Sequence, residues 1–263
     1  TSKQICLSEL WEKICKLRII LMEIENEIQA YEIFESINDK GINLNVGDLV
    51  KNAIFKSLHN DEIVDIESKW EDIVLNVENS GITMIVFLKY YWGSKYTYVA
   101  EKRLYKAIKD KFATAQEWKQ FFLELVDASE QVYHIKKGGY EDLRRYETNH
   151  KAQKSLYNNL KAFRTFTSDT WLVLMICIFR NRSSLPRMKK QYLQFERLTF
   201  IYYLMGLRSN TFHSKIYSFS KDLEKNVKEG ASDVKINQEF TKFFQYIKDK
   251  INSNNKEVFK EKF

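Results

Sequence analysis

"IVDIESKWEDIVLNV", residues 63–77, carries the fold in its spacing. Ile63, Ile66, Trp70, Ile73 and Val77 recur at intervals of three and four, which places them on one face of an α-helix. Ser80 and Gly81 break the pattern, and the same period then resumes down the chain. Residues 83–92 form an aromatic-rich helical segment, and 100–112 carry Leu104, Ile108 and Phe112. A helix over about 115–136 uses Trp118, Phe122, Leu125 and Val132. Gly138 and Gly139 mark the best internal boundary. Beyond them the pattern predicts helices near 140–165, 169–181, 186–206, 211–228 and 234–251. Pro186, after "RNRSSL", suits a first helical turn.

Composition bounds the class. The chain has 263 residues, 44% hydrophobic and 29% charged, which is neither a disordered nor a membrane composition. The apolar stretches Ile82–Leu88 and Trp171–Phe179 fall far short of the ~20 residues a membrane helix needs. One proline and eight glycines leave few obligatory breaks, and long helices are the consequence. Cys6, Cys15 and Cys177 form no CxxC pair. Reduced thiols packed as small hydrophobes, in a cytoplasmic protein, are the reading.

Upstream of the opening stretch the pattern changes. Ser8 can cap a short helix carrying Leu10, Trp11 and Ile14. "LRIILMEI" (17–24) is a compact, β-branched apolar run, read as a buried strand. A lone strand cannot satisfy its own backbone groups. Its sheet partners are therefore expected before Thr1, with the chain a piece of a larger protein. Tyr31, Phe34 and Ile37 share a helical face, and Gly41 is placed to end that helix in the left-handed conformation. Asn45 can cap the next helix, with Asp48 three residues on as in a capping box. Val46, Leu49, Val50, Ala53 and Ile54 supply its inner face. Asn38 alone keeps two readings: a polar residue at a helix end, or a group held for a ligand.

"IFESINDKGINLNVGDLVKNAIF" (33–55) resembles the pattern "iFe.iN.rG..Ls..DLlKN.lf" of the restriction-associated family with a ParB/sulfiredoxin-like domain. That family includes the GmrS half of the GmrSD modification-dependent restriction enzymes. The match runs through Phe34, Asn38, Gly41, Leu44, Asp48, Leu49, Lys51 and Asn52. "VFLKYYWGSKYTYVAEKRLYKAIKDKF" (86–112) is similar to the family's helical continuation. The two blocks cover only part of the chain.

The resemblance implies a mainly α fold: residues 1–58 as the C-terminal remnant of an α/β ParB/sulfiredoxin-like domain, then a helical domain over 59–263. It implies a defence role, with a DGQQR motif that binds and hydrolyses nucleotide and an HNH-type nuclease that cuts DNA. Phe34 and Asn38 match the family's FxxxN element, which would set them beside a nucleotide pocket. Neither DGQQR nor HNH occurs here. His59, His134, His150 and His213 are scattered without metal-ligand spacing. The fragment is therefore expected to hold no cofactor and to perform no catalysis alone. Any nucleotide belongs to the full-length protein.

Charge adds an independent clue. The chain carries 42 Lys and Arg against 35 Asp and Glu, net +7. Residues 144–190 hold eleven cations: Arg144, Arg145, Lys151, Lys154, Lys161, Arg164, Arg180, Arg182, Arg187, Lys189 and Lys190. Only Glu147 and Asp169 oppose them, so the segment is net +9 and the remainder net −2. Such segregation suits a surface that tracks phosphates. DNA, bound largely without sequence preference, is the expected partner, and no membrane is. The alternative is a helical scaffold that associates with another protein or subunit.

Overall fold

Helix dominates because the 3.6-residue period dominates. The computed structural model describes the backbone of residues 7–18, 46–58, 66–186, 188–207 and 209–262, and side chains over 11–18, 46–58, 66–186, 188–207 and 210–253. The helices are α1 (Leu7–Cys15), α2 (Val46–Ser57), α3 (Ile66–Asn79), α4 (Met84–Lys95), α5 (Glu101–Lys111), α6 (Ala115–Lys136), α7 (His150–Phe163), α8 (Trp171–Arg180), α9 (Lys189–Leu204), α10 (Ser209–Lys228) and α11 (Asp233–Lys262). Short 3-10 turns lie at Glu141–Arg145 and Arg182–Ser184. No strand occurs among the described residues. The strand read over 17–24 lies, from residue 19, outside them, as do the helix around Tyr31–Ile37, Gly41, and the FxxxN pair Phe34 and Asn38.

Two compact units are present, Thr1–Leu44 and Asn45–Phe263. The first is described only through α1 and the three residues that follow it, Lys16, Leu17 and Arg18. The division falls before α2. Val50, Ile54 and Leu58 are fully buried, and α2 packs on α4, α5 and α6. Those side chains are part of the larger unit's core.

That core is organised around α8. A helix with a polar face can sit at a surface; one that is apolar all round must be covered all round. Every residue from Trp171 to Phe179 is buried, and α4, α6 and α10 pack against the helix. Outside this centre each helix contributes one stripe. Trp70, Ile73 and Val77 of α3 are buried as the opening stretch predicts, facing α6. Across that contact the Asn76 side-chain amide donates to Ser129 Oγ at 3.2 Å. Further along the chain, α7 packs on α9, and α9 on α11.

Helix ends follow local chemistry. Thr114 and Glu117 form a complete capping box at the start of α6: Thr114 Oγ1 accepts from the Glu117 amide, and Glu117 Oε2 accepts from the Ala113 and Thr114 amides. After α3 the chain turns at Gly81 with φ of 75°, a left-handed conformation that glycine adopts without side-chain strain. Gly138 and Gly139 end α6 within the larger unit. Pro186 precedes α9 by three residues, so it lies in the link ahead of that helix and not in its first turn.

A candidate phosphate-binding surface

The basic segment divides into two populations that the charge count merges. One faces inward. Arg164, at the end of α7, donates through Nε to the Ile135 carbonyl at 2.9 Å. Through Nη2 it reaches the His134 and Gly138 carbonyls at 3.0 and 2.8 Å. These are C-terminal carbonyls of α6 and its exit, which lack partners within the helix. Burial lowers the Arg164 pKa. Arg164 therefore ties α7 to α6.

Arg180 ends α8. Its Nε and Nη2 donate to Glu224 Oε2 on α10 at 3.2 and 2.9 Å. Its Nη1 and Nη2 reach Ser94 Oγ and the Ser94 carbonyl on α4 at 2.9 and 3.0 Å. Asn181 Nδ2 donates to the same carboxylate oxygen at 2.6 Å. Beside them burial pushes the Cys177 thiol up to about 12, so it packs as an inert small hydrophobe. Arg182 donates to the Tyr146 and Pro186 carbonyls, both at 3.3 Å, and to Glu147 Oε2 at 2.6 Å. Arg145 pairs with Glu130 of α6.

The other population faces out. Asn149 caps α7, its Oδ1 accepting from the Ala152 amide at 3.1 Å. From that start, Leu156, Leu160 and Phe163 turn into the core. Asn159 also points inward, its amide donating to Glu196 of α9 at 2.9 Å. The opposite face carries Lys151, Lys154, Asn158 and Lys161, all exposed, at spacings of three, four and three that align them along one side. Arg144, Lys189 and Lys190 are exposed as well. Arg187 lies outside the described residues.

The two acidic residues of the segment are each engaged by another cation. Glu147 is held by Arg182, and Asp169 by Lys136 of α6 at 2.7 Å. Each carboxylate is matched at close range by its own cation, which leaves the α7 lysines uncompensated by acids of their segment.

The enclosed Arg180 and Arg182, with the exposed Arg145, also build a cleft of about 550 Å³. Arg145, Arg180 and Arg182 line it together with Tyr146, Glu147 and Ser183. Sequence reading places the three arginines in one basic segment but does not find Tyr146, Glu147 or Ser183 as cleft residues, because no motif marks them. Helical phase places 151, 154, 158 and 161 along one side of α7, but it does not say which arginines of the segment turn inward. Among the described residues no three His, Cys, Asp or Glu side chains gather as a metal site. No helix there is long and apolar enough to cross a membrane.

No family model matches this chain, and no curated protein or solved structure matches it either.

Proposed function

We propose that the larger unit is a non-catalytic module that holds DNA by its backbone through the outer face of α7. The observation that carries this reading is the exposed line of Lys151, Lys154 and Lys161, with both acids of the segment engaged by other cations. From Lys151 to Lys161 the line runs about 15 Å along the helix axis. That is roughly four phosphate spacings of one DNA strand, at ~3.4 Å of axis each. Arg144, Lys189 and Lys190 add charge to the same segment. With the sequence resemblance, the parent is read as a modification-dependent restriction factor. On this reading Phe34 and Asn38 serve a nucleotide pocket of the complete protein, and this chain itself performs no catalysis.

The test is fluorescence anisotropy with a labelled duplex at low salt. Reversing Lys151, Lys154 and Lys161 to glutamate should abolish most binding. Reversing the exposed Lys221, Lys235 and Lys248 changes net charge equally and should cost much less. Equal losses would trace the binding to bulk charge and remove the site.

A second reading, a scaffold that docks another protein, is favoured by one observation. Phe200, Ile201 and Leu204 leave an apolar face on α9, with Phe200 52% and Leu204 72% exposed. Under that reading Leu204→Glu disrupts association in light scattering while duplex binding is absent from the wild type.

A further inference from the structure

We propose that the cleft between the Glu141–Arg145 turn and the link following α8 is a binding site for a phosphate group. Three guanidinium groups line it, from Arg145, Arg180 and Arg182, against one carboxylate in the lining, Glu147. Their geometry sorts them by role. Arg180 is committed to Glu224 and Ser94, and Arg182 to Glu147 and two carbonyls. Both are therefore fixed in place, donor-bearing walls that need no reordering when an anion enters, each with its charge already matched by a carboxylate. A guanidinium presents five N–H donors. Arg182 uses one on each nitrogen, so its two Nη groups each retain an N–H.

Arg145 differs. It meets Glu130 through Nη1 at the surface, and its side chain is 52% exposed. That leaves guanidinium edge facing water beside the cleft. The Ser183 hydroxyl adds a small polar donor to the lining. A cleft of about 550 Å³ is within the range of small-ligand sites. Planar, forked donors around one concavity match the tetrahedral oxygens of a phosphate better than ammonium groups do. The amino end of α7, at His150, starts two residues beyond the lining residue Thr148.

This site is distinct from the α7 lysine stripe and does not depend on it. The same chemistry is offered by a free phosphate ester and by a phosphate of DNA, and the experiment separates the two. Thermal unfolding is followed as inorganic phosphate replaces chloride at constant ionic strength, then with adenosine monophosphate. A labelled short duplex supplies the third arm. Each is run on the wild type, Arg145→Gln, Glu130→Gln and the α7 triple lysine-to-glutamate variant, and each variant's ligand-free melting temperature is its own baseline.

Phosphate should raise the wild-type melting temperature with a saturable dependence. Arg145→Gln should weaken the apparent affinity on the order of tenfold, as loss of one charged hydrogen-bonding partner does. Glu130→Gln should keep or strengthen it, because it frees Arg145. The α7 variant should respond to phosphate as the wild type does. If Arg145→Gln also lowers duplex affinity, DNA is the source of the phosphate; if only the small anions respond, a free phosphate ester is. Equal stabilisation of the wild type and Arg145→Gln would mean general exclusion of phosphate from the protein surface, and would overturn the site. Loss of duplex binding in every form, with the phosphate response intact, would sink the DNA reading and leave the cleft standing.

Discussion

Arg180 and Glu224 lie 2.9 Å apart, joining the end of the central helix α8 to α10, and the Glu224 side chain is only 4% exposed. Two charges this enclosed are costly to separate. Removing Arg180 leaves the buried Glu224 carboxylate with Asn181 and the largely exposed Lys228, and breaking such a buried pair costs about 3–5 kcal/mol. Arg180→Ala should therefore lower stability by that order in urea unfolding. Replacing both, as Arg180→Met with Glu224→Leu, should cost less than either single change. A loss from the double variant equal to the sum of the two singles would show that the pair is not coupled.

The same carboxylate sets an acid limit. Burial opposes ionisation of Glu224, but Arg180 and the Asn181 amide more than offset it, so its pKa is lowered from 4.5. Glu124 on α6 is likewise lowered: burial is outweighed by hydrogen bonds from Lys95 and Tyr91. A folded value below the unfolded one means stability that is present above pH 4.5 and lost as pH falls through the folded value. The urea midpoint should hold steady down to about pH 5 and decline below about pH 4.5. Glu124→Gln should flatten that decline. A midpoint insensitive to acid would contradict the lowered values.

Gly93, inside α4, lies against the ring of Tyr217 from α10. A β-carbon at this position would overlap Tyr217 Cδ1 and Cε1. In an exposed helix, replacing glycine by alanine gains up to about 1 kcal/mol. Here the buried ring has to move, and overpacking typically costs about 1–3 kcal/mol. Gly93→Ala should therefore destabilise, reversing the sign expected from helix propensity. A raised melting temperature would show that the ring yields freely.

Duplex binding, under the proposed function, should weaken as salt rises, with log K falling by about 0.9 per log salt for each phosphate contact. Removing the three α7 lysines should shrink that slope by roughly 2 to 3, if each meets one phosphate. The lysines are the right probe because they are exposed. Arg164, Arg180 and Arg182 are not, since changing any of them breaks internal contacts and confounds binding with stability. An unchanged slope in the triple lysine variant would place the contacts elsewhere.

Helical phase is a local property, so the sequence by itself determined most of the helix placement. The spacing of Trp70, Ile73 and Val77 located the buried face of α3. The bounds expected for α6, 115–136, are those observed, because Thr114 and Glu117 form its cap within four residues. The unbroken apolar run Trp171–Phe179 marked a segment with no face for water. Neighbours in space decided the rest. Val50, Ile54 and Leu58 belong with the larger unit because α4, α5 and α6 cover them, a relation no local pattern contains. The eleven cations looked alike in the chain, yet Arg180 meets Glu224, 44 residues away, and Arg182 meets Glu147, 35 residues away. Net charge counts such cations whether or not a carboxylate lies against them. Tertiary packing alone separated the arginines that brace the fold from the lysines left facing water.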